Sequence, residues 1–166
     1  MGREVRRVPA DWEHPKKNGR YVPLYDGSYT KRARQWLDDA RAWDDGTHRD
    51  LANDPDLKQR MPFFWEWDGG PPDPEDYMPD WPEEQRTHLQ MYENTSEGTP
   101  ISPVMKSPED LARWLADNRA SSFGDMTATY EQWLSTIRRG WAPSAIMVGG
   151  GPMVSGVAGL SESDPK

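Results

Sequence analysis

The chain has 166 residues, a formal net charge of -8, a mean hydropathy of -0.99 and no cysteine. The absence of cysteine excludes disulfide bonds, zinc–thiolate sites and a thiol nucleophile. A pI near 4.9 disfavours binding to duplex DNA, because that function requires a basic surface.

The aromatic content predicts a folded domain despite the low hydropathy. Leu, Ile, Val and Phe together number only 22, a content typical of disordered chains. Nine Trp, six Tyr and eight Met replace the missing aliphatic surface, since each buried aromatic removes about 150–250 Å² from water. We therefore expect one α+β globular domain over residues 1–160 and a frayed tail over residues 161–166.

Neither a signal peptide nor a membrane span is indicated. Residues 1–12 contain no apolar stretch, and no run in the chain approaches the length of a transmembrane helix. We expect a protein of the bacterial cytoplasm that does not enter a membrane.

The first half of the chain carries one strong helix signal. Extended backbone is predicted at residues 20–24. Ser28 then caps a helix over residues 29–44, where apolar and aromatic residues recur at helical spacing. A second helical pattern, over residues 50–60, is interrupted by Pro55.

Residues 61–84, the acidic segment, contain eight Asp or Glu and no Lys or Arg. The same segment contains six prolines and six aromatic residues. Proline prevents a regular helix after Trp67, and we expect a long loop held in place by its aromatic side chains.

The second half of the chain contains two further helix signals. Residues 87–93 alternate apolar and polar side chains, as a strand does. Ser107 and Pro108 then supply an N-cap and a first-turn proline for a helix that includes Leu111, Trp114 and Leu115.

The chain closes with one more helix and a hairpin. The helix is predicted over residues 129–139, with Gly140 just beyond its end. Residues 145–148 and 153–157 are predicted to pair as a β-hairpin, joined by a turn at 149–152. The expected fold thus has about three main helices, a small antiparallel sheet and a long acidic loop.

The acidic segment is the leading candidate for a protein-binding surface. Exposed Trp and Tyr supply contact area, and carboxylates steer a basic partner towards them. The alternative is that this loop packs onto its own domain. The residues predicted to contact the partner are Trp65, Trp67, Asp68, Asp73, Asp76, Tyr77 and Trp81.

A small-ligand site is the alternative function. Arginines pair with phosphate and Trp stacks on a base, so such a site would sequester or hydrolyse a nucleotide. Surface solubility explains the same arginines. The candidate residues are Arg6, Arg7, Trp12, Arg138, Arg139 and Trp141.

The familiar catalytic motifs are absent. The sequence has no phosphate-binding loop, no Gly-x-Ser-x-Gly elbow and no His-Glu-x-x-His motif. Its three histidines, His14, His48 and His88, lie in separate segments. We therefore predict no catalytic residues, no metal site and no cofactor, which favours a binding protein over an enzyme.

Several segments give the chain a wider resemblance. It resembles small uncharacterised proteins encoded in tailed-phage and prophage genomes. The segments that carry this likeness are residues 2–9 (GREVRRVP) with Trp12 and His14-Pro15, Trp65-Glu66-Trp67, residues 70–73 (GPPD), residues 90–93 (QMYE), residues 96–104 (SEGTPISPV) and residues 140–144 (GWAPS). The resemblance implies an accessory protein that binds a host protein, with a role in counter-defence or host takeover. A minor virion or assembly component is the remaining alternative.

Overall fold

The computed structural model describes residues 2–94, 98–147, 151 and 153–161. Within them lie seven helices, three of them longer than six residues, and small antiparallel sheets, which confirms the predicted α+β class.

The chain forms two compact units, which are described separately. Residues 1–24 and 81–166 form the sheet unit, and residues 25–80 form the helical unit. The single domain over residues 1–160 stays a prediction. Residues 162–166 of the predicted tail, residue 148 of the predicted hairpin strand and residues 149, 150 and 152 of the predicted turn lie outside the described residues.

Eight strands occur in the described part of the chain. They are β1 (Gly2–Val8), β2 (Lys16–Lys17), β3 (Arg20–Tyr21), β4 (His88–Glu93), β5 (Thr99–Pro100), β6 (Trp141–Pro143), β7 (Ala145–Met147) and β8 (Met153–Ser155). The main sheet has the order β5-β4-β1-β6, with every neighbouring pair antiparallel. The pairs β2–β3 and β7–β8 form two separate antiparallel hairpins.

The described helices are α1 (Tyr29–Asp44), α2 (Arg49–Asn53), α3 (Leu57–Arg60), α4 (Phe64–Asp68), α5 (Pro108–Asp117), α6 (Tyr130–Arg139) and α7 (Gly156–Ser161). Three of the seven described helices, α1, α5 and α6, begin where local capping signals predict them. The hydroxyls of Ser28, Ser107 and Thr129 each accept a hydrogen bond from the first-turn backbone of α1, α5 and α6. Gly140 ends α6 in the left-handed region, with φ of 96°.

Three details differ from the sequence-based expectation. Only Arg20–Tyr21 of the predicted extended segment 20–24 pairs as a strand. The helical pattern over residues 50–60 forms two short helices, α2 and α3, because Pro55 separates them. Val157, expected in the last strand, lies instead in α7.

The acidic segment is also more structured than a loop. It contains the short helix α4 and 3-10 turns at Pro74–Asp76 and Glu83–Gln85. The expected limit on helix formation holds, since α4 ends at Asp68 and prolines follow from Pro71.

Strand β1, which the sequence analysis does not predict, lies in the interior of the main sheet. It pairs with β4 from Arg3 opposite Glu93 to Val8 opposite His88, and with β6 at its first residues. Because side chains alternate along a strand, Val5 shares a face with Leu89 and Met91. That face packs on the apolar core of the sheet unit.

The core of the sheet unit lies between the main sheet and the helices α5, α6 and α7. Its fully buried members are Met91, Leu111, Ala112, Leu115, Trp133, Ala142 and Val157. Trp133 contributes a large buried aromatic surface, as the composition predicts.

The core of the helical unit is built around Trp43, which is fully buried. Leu51, Leu57 and Phe64 pack with it. Lys58 Nζ donates to the carbonyls of Trp43 and Asp44 at 2.7 Å each, which satisfies the C-terminal end of α1.

We predict that Thr129→Ala destabilises the sheet unit by about 1 kcal/mol, because it removes the N-cap of α6. Thr129 Oγ1 accepts from Gln132 N at 3.3 Å, and Gln132 Oε1 accepts from Thr129 N at 2.9 Å. Thr127→Ala is the matched control, since Thr127 is exposed two residues earlier and caps no helix. Urea denaturation of both variants tests this prediction, and equal midpoints would contradict it.

Candidate functional site

The predicted protein-binding residues are divided between the two units. Trp65, Trp67, Asp68, Asp73, Asp76 and Tyr77 belong to the helical unit, whereas Trp81 belongs to the sheet unit. They are therefore described as two groups.

Helix α4 exposes aromatic side chains on its outer side. Phe64 points into the core, 4% exposed, and its neighbours Phe63 and Trp65 are each 55% exposed. The rings of Phe63 and Trp65 stack on each other, with centroids 6.0 Å apart and planes at 11°. This stacking holds two large apolar side chains together in water. Phe63, which the sequence analysis did not include, thus joins the predicted Trp65.

Trp67 is exposed on one side and held on the other. Its ring stacks against Trp43, with centroids 6.2 Å apart, and its Nε1 donates to Asp50 Oδ2 at 3.2 Å. It remains 44% exposed. We call Phe63, Trp65 and Trp67 the aromatic surface.

The carboxylates of Asp68 and Asp73 have structural partners, and Asp76 is held through its backbone. Asp68 Oδ2 accepts from Arg32 Nη2 at 2.8 Å. Asp73 Oδ1 accepts from Glu75 N at 2.9 Å and so caps the 3-10 turn at Pro74–Asp76. The backbone carbonyl of Asp76 accepts from Tyr25 N at 2.8 Å. These contacts hold the segment that follows α4 in a defined conformation.

Tyr77 packs with two other tyrosines. Its ring centroid lies 5.4 Å from that of Tyr25 and 5.9 Å from that of Tyr29. A cavity of about 730 Å³ lies here, with charges of both signs on its walls. Its lining includes Tyr25, Asp26, Lys31, Arg32, Pro71, Pro72, Asp73, Asp76 and Tyr77.

In the sheet unit, Trp81 is half-buried against Trp12. The two rings meet edge to face, with centroids 4.7 Å apart and planes at 74°. The carbonyl of Trp81 accepts from Arg86 Nε at 2.9 Å. Trp81 thus serves the packing of its own unit.

The arginines of the alternative ligand site each have a partner within the chain. Arg6 is buried, and Arg7, its neighbour in β1, points to the opposite face and pairs with Glu83. Arg138 Nη2 donates to Glu109 Oε1 at 3.1 Å, and Arg139 Nη2 donates to the carbonyl of Leu160 at 3.1 Å. Trp141 remains 55% exposed at the edge of the main sheet.

A buried polar network, which the sequence analysis missed, lies on the other face of the main sheet. The hydroxyl of Tyr92 is its centre, because it accepts from Trp12 Nε1 at 3.1 Å and donates to Gln90 Oε1 at 2.7 Å. Gln90 Nε2 donates in turn to the carbonyl of Ser102 at 2.8 Å. The guanidinium of Arg6 lies 4.3 Å above the Tyr92 ring.

His14 joins this network with both ring nitrogens. Its Nε2 lies 2.7 Å from the carbonyl of Val22, and its Nδ1 lies 3.2 Å from the Tyr92 hydroxyl. Since a carbonyl only accepts, Nε2 carries the hydrogen. Nδ1 of the neutral ring is then an acceptor, and it shares the single hydrogen of the Tyr92 hydroxyl with Gln90 Oε1. Burial lowers the pKa of His14, the Val22 carbonyl opposes this shift, and the charge of Arg6 lowers the pKa further.

The alternation of apolar and polar residues along β4 indicated only part of this network. The sequence analysis recognised only that Leu89 and Met91 alternate with polar neighbours. Two of these neighbours, Gln90 and Tyr92, are buried, and Trp12 and His14 supply partners for the Tyr92 hydroxyl. Those partners lie about 80 positions away in sequence, so no local pattern indicates them.

Comparison of the chain with protein-family models, with curated proteins and with solved structures gives no match. The function is therefore argued from the site itself. Within the described ranges, no group of three or more His, Asp or Glu side chains is placed to hold a metal ion. None of the described helices is both long and apolar enough to cross a membrane.

We predict that His14 makes the sheet unit less stable at acidic pH. Its folded-state pKa lies below the unfolded value of about 6.5, so the unfolded chain binds more protons between the two values. The free energy of unfolding therefore falls as pH drops through this window. His14→Gln keeps a donor for the Val22 carbonyl and removes the titration.

Urea denaturation at about pH 7.5 and about pH 5.5 tests this prediction. The wild-type chain loses more stability between the two conditions than His14→Gln does. An equal loss in the two proteins would show that His14 does not carry the effect.

Proposed function

We propose that the chain is a non-enzymatic accessory protein of phage or prophage origin that binds a host protein through the aromatic surface. It acts in the cytoplasm of the bacterial host, in counter-defence or host takeover. The observation that carries this proposal is the exposed, stacked pair of Phe63 and Trp65.

The exposure of this pair supports an interface. Elsewhere in the described part of the chain, Trp43, Trp133 and Tyr92 are the largest fully buried side chains. Two adjacent rings left more than half exposed therefore lack the burial that stabilises aromatic side chains in the cores. Trp is enriched among the residues that dominate binding energy at interfaces. The rings are also held by each other and by α4, which lowers the entropy lost on binding.

The charge around the aromatic surface favours a basic partner. The acidic segment has no Lys or Arg, and its exposed carboxylates include Glu66, Asp73 and Glu75. Such charges accelerate encounter with a positively charged protein surface and disfavour an acidic one. The partner class is therefore a host protein with a basic patch and an apolar centre.

The contacts of the nearby carboxylates support binding over catalysis. Asp50 accepts from Trp67, Asp68 pairs with Arg32, and Asp73 caps a 3-10 turn. Asp50 therefore helps to hold Trp67, while Asp68 and Asp73 hold the end of α4 and the turn that follows it.

The test is affinity capture of the tagged protein from infected or lysogenic cells, followed by mass spectrometry and by affinity measurement with the captured protein. Truncation of a hot-spot residue costs 2 kcal/mol or more, so Trp65→Ala is expected to weaken binding by about 30-fold or more. Both Phe63→Ala and Trp65→Ala alter only exposed rings, so the variants remain folded.

Trp141→Ala is the matched control, since Trp141 is also 55% exposed but belongs to the sheet unit. It is expected to leave the affinity unchanged. A partner that binds wild type and Trp65→Ala equally, or that is lost equally with Trp141→Ala, would contradict the proposed site.

A further inference from the structure

A second concave site lies in the sheet unit, beside the buried polar network. Its volume is about 600 Å³, within the range of small-molecule sites. The lining is mostly aromatic and apolar, with one cation and one carboxylate. It consists of Trp12, Glu13, His14, Pro15, Lys16, Tyr21, Gln90, Pro103 and Val104.

Three flat rings form the aromatic part of this lining. Trp12 and Tyr21 both pack edge to face against His14, with centroid distances of 5.9 and 5.5 Å. Flat ring surfaces of this kind bind planar ligands by stacking and edge contacts. The walls of the cavity therefore favour a planar ligand over a non-planar one, whatever the charge of the ligand.

The polar network holds the inner wall in place. His14 and Gln90 are 7% and 4% exposed, and the ring nitrogens of His14 and both amide atoms of Gln90 have hydrogen-bond partners. Their orientations are thus fixed by the fold. Because this wall is preformed, ligand binding does not incur the entropic cost of ordering these side chains.

Lys16 provides the cation. Pairing of β2 with β3 sets Lys16 opposite Tyr21, and Lys16 Nζ lies 4.6 Å from the centroid of the Tyr21 ring. Among the described residues, no carboxylate oxygen lies within 4.0 Å of this ammonium group. The Lys16 ammonium group is therefore available to pair with an anion beside the Tyr21 ring.

Glu13 limits the charge of the ligand. Glu13 is among the lining residues of the same cavity, and its negative charge disfavours a polyanion, so a single acidic group is favoured over several.

We propose that this cavity binds a planar aromatic or heteroaromatic anion of low charge. The ring lies against Trp12, His14 and Tyr21, and the carboxylate or phosphate of the ligand pairs with Lys16. This site is separate from the aromatic surface and does not depend on the proposed function.

The test is calorimetric titration of the full chain with two charged probes and their neutral counterparts. Indole-3-acetate and indole test a carboxylate, and adenosine monophosphate and adenosine test a phosphate. At least one charged probe is expected to bind with Kd below about 1 mM, and about fivefold or more tightly than its neutral counterpart. The probe that binds identifies the acidic group.

Two substitutions distinguish the contribution of the aromatic wall to binding from that of the Lys16 charge. Lys16→Gln is expected to remove the preference for the charged probe, and Tyr21→Leu to weaken the charged and neutral probes alike. Lys17→Gln is the matched control, because Lys17 is the exposed neighbour of Lys16 in β2 and does not line the cavity.

Two results would overturn the proposal. One is a titration in which neither charged probe saturates the protein at about 10 mM. The other is an equal effect of Lys16→Gln and Lys17→Gln on the affinity, which would indicate attraction by surface charge alone.

Discussion

The sheet unit depends on Tyr92, whose hydroxyl is the centre of the buried polar network and whose ring lies beneath the buried Arg6. A guanidinium taken out of water is costly unless carboxylate, carbonyl or aromatic partners replace its hydration. Arg6 has all three, since it pairs with Glu4, donates to the carbonyl of Leu24 at 2.8 Å and lies over the Tyr92 ring. A side chain at Gly98 would meet Arg6 and the Leu24 carbonyl, so glycine is required there. The guanidinium of Arg6 thus ties Leu24, at the end of the segment 12–24, to the sheet.

The two faces of the main sheet follow from this arrangement. One face packs an apolar core against α5 and α6, and the other carries Gln90 and Tyr92 beneath Trp12 and His14. A polar face of this kind is stable only when each member has a partner, because an unpaired buried group costs about 1–3 kcal/mol. The same partners shape the cavity beside Lys16. The fold of the sheet unit and its candidate ligand site therefore share one set of hydrogen bonds.

Sequence reasoning succeeded where the signals are local. The starts of α1, α5 and α6 follow from Ser28, Ser107 and Thr129, whose hydroxyls bond only three residues ahead. The sequence left open whether the aromatic residues of the acidic segment are packed or exposed. Trp65 is exposed, and its stacking partner Phe63 was not among the predicted residues. Strand β1 was missed because its arginines resemble a solvated surface. The burial of Arg3 and Arg6 depends on contacts with Ser121 and Tyr92, which are far away in sequence.

The measurement that tests this account most directly is the free energy of unfolding of Tyr92→Phe. This change removes one hydroxyl and leaves Trp12 Nε1 and Gln90 Oε1 without their partner, so a loss of about 1–3 kcal/mol is expected. Tyr130→Phe is the control, because Tyr130 lies outside the network, and it is expected to change stability by less than about 0.5 kcal/mol. Equal stabilities for the two variants would contradict the central role of the Tyr92 hydroxyl.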